Sequence, residues 1–340
     1  MPGGSDRILF NIHHICIDGV SWRIFLEDFI DAYKAAVTGK EIRSAQKGTS
    51  FREWTSMLSS FAKEGKADIH IPLWNAVTDD AGTSALTGND LSSNTHSNSS
   101  RITAELDEEY TRRLLNDASR AYNTGINDLL ISALVMAFGK ATGEHSLAID
   151  LEGHGRDDMA EDADISNTIG WFTSIYPVKL NVTSGVEETI KSVKETLSRH
   201  SPAGFTYGIL RYMNNGVSKV RETDPKIVFN YLGQFKEEIA EGWKFSHDSL
   251  KLHTGGDELR QHSIEMNSMV ASSKFMLDVD FPSLSMSEAA AGEFSRNYIE
   301  SLKEIIEHCT NAGGTTYTAS DFAASGLDQQ ELDNLLSELN

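Results

Sequence analysis

Ile12-His13-His14-Ile15-Cys16-Ile17-Asp18-Gly19 is the stretch on which the reading of this chain turns. It closes an apolar run, Arg7-Ile8-Leu9-Phe10-Asn11-Ile12, that reads as a buried strand. Side chains alternate along a strand, so His14 shares a face with Ile8, Phe10 and Ile12, and His13 shares the other with Leu9 and Asn11. Cys16 to Gly19 then turn the chain into a helix. Imidazole titrates near neutrality, and a carboxylate four residues on can fix its tautomer or hold an opposing cation. On the residues alone, three readings stand: satisfied core histidines, two ligands of a metal, or a catalytic base. Adjacent strand residues point to opposite faces, which makes His13 and His14 poor joint ligands.

Working outward, the next segment is an amphipathic helix. Ser21 reads as its N-cap, and Trp22, Phe25, Leu26, Phe29, Ile30, Tyr33 and Val37 recur at three and four as one core stripe. Gly39 stops it. Ser50-Phe51-Arg52-Glu53-Trp54 opens a second helix through Met57, Leu58 and Phe61. Residues 79–100 are Asp, Asn, Thr, Ser and Gly with almost nothing apolar, a flexible linker or insert. Asp107 caps a helix with Tyr110, Leu114 and Leu115 on one face, and Asn127 starts another that ends near Gly143.

Ser146-Leu147-Ala148-Ile149-Asp150-Leu151 alternates as a strand, placing Ala148, Asp150 and Glu152 on its less apolar side. A helix over 185–199 follows, and 202–208 is a loop by its Pro and Gly content. Residues 227–232, 263–269 and 274–281 read as strands and 287–309 as a helix. A short amphipathic helix capped at Asp328 and carrying Leu332, Leu335, Leu336 and Leu339 closes the chain. Strands alternating with helices predict an α/β fold.

Composition bounds the function. The 340 residues carry a net charge of −20, which repels phosphates and argues against a nucleic-acid partner. No apolar run is long enough to cross a bilayer, so no membrane role is expected. Cys16 and Cys309 are the only cysteines, and two distant thiols make no disulfide framework. Met1-Pro2-Gly3-Gly4-Ser5-Asp6 has neither a basic nor an apolar leader segment, and a cytoplasmic location is the expectation. No metal site is expected, because no close Cys/His cluster is present.

His13-His14-Ile15-Cys16-Ile17-Asp18-Gly19 resembles the HHxxxDG motif of the condensation-domain superfamily of nonribosomal peptide synthetases, whose folds are chloramphenicol-acetyltransferase-like. Four further stretches resemble its epimerization branch: Glu152-Gly153-His154-Gly155-Arg156, the Ile169–Val178 segment with Gly170-Trp171-Phe172-Thr173, Tyr207-Gly208-Ile209-Leu210-Arg211-Tyr212, and Phe229-Asn230-Tyr231-Leu232-Gly233-Gln234. The resemblance implies two lobes in a V, with residues 1–100 a partial N-lobe and 101–340 the C-lobe and tail. It also implies that the earlier half of the N-lobe is missing. An uncovered edge would then leave the 340 residues poorly active or aggregation-prone until that half is restored.

By the same resemblance, His14 and Glu152 are the opposed catalytic pair of an epimerase that inverts the α-carbon of an aminoacyl or peptidyl thioester. Asn230 and Tyr231 match positions lining the cleft, with simple core packing the alternative for Tyr231. Trp171 and Tyr207 are packing or channel residues. Asp18 is structural, paired with a buried arginine or a backbone turn. Gly19 permits the tight turn and close approach of the substrate arm. His13 is a packed, hydrogen-bonded histidine, His154 structural, and Arg156 the anchor of a carboxylate. The chain itself needs no cofactor, because the phosphopantetheine arm arrives on a peptidyl carrier domain alongside neighbouring synthetase domains. The alternatives are a condensation domain that forms peptide bonds and a non-catalytic module that binds carrier proteins.

Overall fold

Alternation of apolar and polar side chains, clearest in β7 and β8, builds a six-stranded sheet with two chemically different faces. The computed structural model describes residues 6–43, 48–77, 84–87, 93–156, 163–235, 238–246, 256–325, 331–332 and 334. The helices are α1 (Gly19–Val37), α2 (Phe51–Lys63), α3 (Ile71–Asn75), α4 (Ser84–Thr87), α5 (Glu108–Asn116), α6 (Ile126–Thr142), α7 (Val186–His200), α8 (Gly204–Tyr212) and α9 (Glu288–Thr310). The strands are β1 (Ser99–Glu105), β2 (Ser146–Gly153), β3 (Ser174–Asn181), β4 (Ile227–Phe235), β5 (Glu238–Ala240), β6 (Trp243–Lys244), β7 (Ile264–Ala271) and β8 (Lys274–Pro282).

The main sheet runs β1-β8-β7-β4-β2-β3, and β5 and β6 form a separate hairpin. The β2–β4 and β4–β7 pairings are parallel and the others antiparallel. Leu147, Ile149 and Leu151 of β2, Ile227 and Phe229 of β4, Ile264 and Met266 of β7, and Phe275, Leu277, Val279 and Phe281 of β8 all enter the main core. Residues from α5, α6, α7 and α9 close that core from the same side. Helix α6 is buried nearly all round, as its apolar composition requires.

The other face is polar. One row across it reads Asp150, Val228, Glu265, Asp280 and Arg101. The next carries Asn230, Asn267, Asp278 and Thr103, with Glu152 two residues beyond Asp150 on β2. Arg101 grips Asp280 through Nε at 2.9 Å and Nη2 at 2.7 Å, and Arg260 Nε donates to Glu265 at 3.1 Å.

Strands β2, β4, β7 and β8 and the long helices fall where the sequence places them. Several segments differ. Residues 7–12 form no strand: they run beside α1, and Ile8 and Leu9 stay exposed. An apolar run becomes a strand only where a neighbour takes its backbone hydrogen bonds, and no strand pairs with it among the described residues. Asp18, not Ser21, caps α1, accepting the Ser21 amide at 2.7 Å. The α1 stripe is core only at Ile30; Tyr33 and Val37 are exposed.

Within 79–100, α4, a 3₁₀ turn at His96–Asn98 and the start of β1 are ordered elements. Asn94 is buried there, donating to the carbonyls of Arg260 and His262. Order in this polar stretch comes from hydrogen bonds, which composition does not reveal. The 202–208 loop is instead the 3₁₀ turn Ser201–Ala203 and most of α8, because Tyr207, Ile209 and Leu210 are buried and tertiary packing overrides Gly and Pro content. Of the closing helix, Leu332 is buried, while Asp328, Leu335, Leu336 and Leu339 lie outside the described residues.

Helix α1 reaches the sheet lobe through a small polar network. Asp18 Oδ1 accepts the Ser21 amide and Oδ2 accepts the Phe172 amide at 3.0 Å. Ser21 Oγ donates to the Gly170 carbonyl at 2.9 Å and accepts its amide at 3.1 Å. Arg156 Nη2 donates to Ser21 Oγ at 2.9 Å and pairs with Asp18 at 3.5 Å, both side chains being buried. Its Nη1 donates to the carbonyls of Ile165 and Thr168, and the guanidinium lies 4.0 Å over the Phe172 ring. Further along α1, Arg23 donates to the Leu232 carbonyl of β4 at 2.9 Å, and Trp243 packs on Phe29 and Tyr33.

Burial by itself pushes the Asp18 carboxyl up, but the Ser21 and Phe172 amides, the Ser21 hydroxyl and Arg156 outweigh it and hold the group below the ordinary carboxylate value. Asp18→Ala strands Arg156 and two backbone donors, at an expected cost of about 3–5 kcal/mol. Because the folded carboxyl is depressed, the gap from wild type is full above the ordinary aspartate value near 4 and closes as pH falls towards the lower folded value. Denaturant melts of both proteins across that range check the size and the sign.

Candidate active site

Three chain segments carry the candidate residues. His13 Nδ1 accepts the Ile15 amide at 3.1 Å, which caps the 3₁₀ turn His14–Cys16. That turn leaves His14 exposed, its ring 5.1 Å from the ring of Trp171. His13 is exposed as well, so it is hydrogen-bonded but not packed. Gly19 opens α1 with ordinary backbone angles, and a Cβ there would meet nothing, so the turn itself does not demand glycine. Gly155 is the glycine the geometry requires: its φ is +62°, and a Cβ would stand 1.6 Å from the Phe172 carbonyl oxygen.

Glu152 stands near the end of β2, where the alternation turns it to the polar face. Asn230, on the neighbouring parallel strand β4, donates Nδ2 to Glu152 Oε2 at 2.8 Å. The Glu152 side chain is open to solvent, yet protein mass around the cleft desolvates it and raises its pKa. The imidazoles of His14 and His262 pull the other way, and Glu265 adds to the rise.

The remaining candidates divide. Tyr231 alternates with Asn230, points to the opposite face of β4 and packs against the main core. Burial raises its hydroxyl pKa, with Arg23 opposing. Arg156 holds Asp18 and Ser21 and offers its own amide to His154 Nδ1 at 3.0 Å. Trp171 and Tyr207 line one cavity of about 740 Å³, together with Trp54, Phe205, Asp150 and His262. Tyr207 is buried there, its hydroxyl joined to Thr223 and Arg211.

Two buried residues near Glu152 carry no role in the sequence reading, which only places Asp150 on the same strand face. His262 Nε2 and Asp150 Oδ2 form a buried pair at 2.8 Å, 112 positions apart in the chain. The one local signal is Asp150 itself, a charged residue inside an otherwise apolar strand. Among the described residues, no three His, Cys, Asp or Glu side chains gather as a metal site, and no helix is long and apolar enough to cross a membrane.

Set against known proteins, the chain matches the Condensation domain family over residues 3–327. It is 35% identical over 337 residues to Bacitracin synthase 2 of Bacillus licheniformis, covering 98% of this chain and 13% of that protein. It is 36% identical over 341 residues to a linear gramicidin synthase of Brevibacillus parabrevis, covering 98% of this chain and 4% of that protein. The chain therefore spans only a small part of the length of these relatives. Among solved structures, the epimerization domain from the third module of tyrocidine synthetase B is similar with a TM-score of 0.80 at 32% identity, over 88% of this chain and 68% of that one. The X-domain from teicoplanin biosynthesis, at a TM-score of 0.60 and 16% identity over 89% of this chain and 69% of that one, shares the fold. With its mixed sheet, its HHxxxDG turn and this match along nearly its whole length, the chain belongs to the condensation-domain family and has its chloramphenicol-acetyltransferase-like α/β fold.

Proposed function

We propose that this chain inverts the α-carbon of an aminoacyl or peptidyl thioester carried on the phosphopantetheine arm of a carrier domain, within nonribosomal peptide synthesis. The observation that carries the reading is the Glu152 carboxyl on the polar sheet face, held by Asn230 and with its pKa pulled down by the His14 imidazole. An α-proton next to a thioester is weakly acidic, and its removal needs a base at the carbon. Inversion further needs a proton delivered to the opposite face. A carboxyl on the sheet and an imidazole on the α1 turn stand on separate supports, as two opposed groups must. Asn230 donates to one carboxylate oxygen and leaves the other to take a proton.

The proton balance closes without any electron acceptor: one group takes the α-proton, the carbanion is held as its enolate, and the other group returns a proton. The phosphopantetheine arm serves as tether for the substrate and comes with the carrier domain. The likeness to long synthases and to an epimerization domain supports carrier and synthetase partners, and the net charge of −20 weighs against nucleic acid.

Amide formation is the second reading, because the family match is to condensation domains as a whole. In that reaction His14 alone would have a proton to handle, and the Glu152–Asn230 arrangement would have none.

The test presents the chain with a carrier domain loaded with an L-aminoacyl thioester in deuterium oxide, and reads chirality and deuterium content after release. D-product bearing deuterium is the expected result, and an amide formed with an added acceptor would support condensation instead. His14→Ala and Glu152→Gln should each lower inversion at least a hundredfold, about the value of one positioned acid or base. A variant that exchanges deuterium without inverting identifies its surviving group as the base for that enantiomer. Full inversion by Glu152→Gln sinks the two-group mechanism.

The pH dependence follows from the same carboxyl. A raised Glu152 pKa means that the group keeps its proton to higher pH and loses its base form earlier as the solution is acidified. For the enantiomer that Glu152 deprotonates, the acid limb of the exchange rate should lie above the ordinary glutamate value of 4.5. Glu152→Gln should remove that limb without lowering the melting temperature at neutral pH, since it relieves a desolvated charge and keeps an acceptor for Asn230. Rate profiles and thermal melts of both proteins decide this.

A further inference from the structure

A buried ionisable pair close to Glu152 has no task in the proposed mechanism. Asp150 sits two residues before Glu152 on β2 and faces the same side of the sheet, about 7 Å away along the strand. It is almost wholly buried, as is His262, whose Nε2 lies 2.8 Å from Asp150 Oδ2. Both line the cavity that also reaches Trp171, the ring beside His14. Two carboxylates on one strand face, in a desolvated setting, would each resist losing a proton while the other is charged. His262 stands where it can cancel one of them.

We propose that the buried, hydrogen-bonded Asp150–His262 pair supports Glu152, the His262 ring offsetting the Asp150 carboxylate so that Glu152 is free to give up its proton. This rests on the reading of Glu152 as one of the two proton-transfer groups. Asp150 and His262 are positioning residues: they act through Glu152 and touch no reacting atom.

The surroundings of Glu152 leave this work to His262. The α1 turn contributes His14, and β4 contributes the Asn230 amide, which bonds the carboxylate but carries no charge. Strand β3 sets Ile175 opposite Glu152. From β7 comes Glu265, already paired with Arg260 at 3.1 Å. Behind them on β2, Asp150 has the His262 ring as its hydrogen-bonded partner. Remove the imidazole and the bare Asp150 carboxylate sits one strand repeat behind Glu152, while a cation that favours ionised Glu152 is lost as well. Both changes act in the same direction.

The test reads the Glu152 carboxyl itself by carbon-13 titration of the 340-residue chain, its signal assigned by disappearance in Glu152→Gln. His262→Gln removes the charge but keeps a donor for Asp150, and should raise the Glu152 midpoint by about one pH unit, a tenfold change in proton affinity. Adding Asp150→Asn to that variant removes the uncompensated charge and should bring the midpoint back most of the way. A generally disturbed site would not be rescued by a second substitution. An unchanged midpoint in His262→Gln, or a double variant as high as the single one, overturns the proposal. Should His262→Gln fail to fold, Asp150→Asn with His262 intact decides: a midpoint at or below wild type supports the pair, and a rise overturns it. The readout needs no turnover, so loss of the epimerase reading through absent inversion would be seen separately from failure of this pair.

Discussion

The structure depends on the double occupation of the Asp18 carboxylate. Each of its oxygens takes a backbone amide, one from Ser21 in its own helix and one from Phe172 in a loop 154 positions away. Arg156, whose own guanidinium is tied to Ile165, Thr168 and Ser21, closes the arrangement with an opposite charge. Helix α1 has little else to hold its N-terminus, since most of its apolar stripe is half-buried or exposed. His14 lies four residues before Asp18, so the place of the imidazole beside Trp171 is inherited from that carboxylate. The HHxxxDG, EGHGR and GWF segments meet here because one supplies the anion, one the cation and one the backbone donors.

Predictions about stability and about turnover therefore fall on different residues of one motif. Asp18 fixes the support, while His14 stays exposed at the tip of its turn. The same division runs through Glu152-Gly153-His154-Gly155-Arg156. Glu152 faces the cleft, Gly155 lets the chain pass the Phe172 carbonyl where any Cβ would collide with its oxygen, and Arg156 reaches back to Asp18. A short motif can serve both purposes because its strand alternation and its left-handed glycine send neighbouring side chains to different places.

What can be read from the sequence follows from where the information is local. Strands β2, β4, β7 and β8 lie inside a sheet with one apolar and one polar face, so each writes its period of two into the chain. Strand β3 does not announce itself: it lies at the sheet edge and carries Pro177, a residue that demotes a strand in any composition-based reading and that an edge tolerates. Residues 7–12 have the composition of a strand without a partner to make them one. Helix α8 has the composition of a loop, but Tyr207, Ile209 and Leu210 bury themselves and set the outcome. His14 and Glu152 are singled out by motif resemblance alone. The Asp150–His262 pair is not, since nothing in either neighbourhood names a partner 112 residues away.

Asp18 and Glu152 show why two carboxyls of one protein can hold opposite proton affinities. Both are desolvated, and desolvation raises both. Asp18 then receives two backbone amides, the Ser21 hydroxyl and an arginine, and the donors win. Glu152 receives one side-chain amide from Asn230 and the pull of two imidazoles, and desolvation wins. A carboxylate saturated with fixed donors is locked as an anion and suits a support, because its charge does not change with its surroundings. A carboxyl with one oxygen left free, and with its charge opposed by histidines rather than by arginine, can take and return a proton. The counter-ion decides the matter: arginine stays charged at any pH the protein meets, whereas an imidazole shares the range in which a proton-transfer site must work. Histidines oppose the charge of Glu152 and arginine that of Asp18, which is why we propose proton transfer on the sheet and find anchorage at the start of the helix.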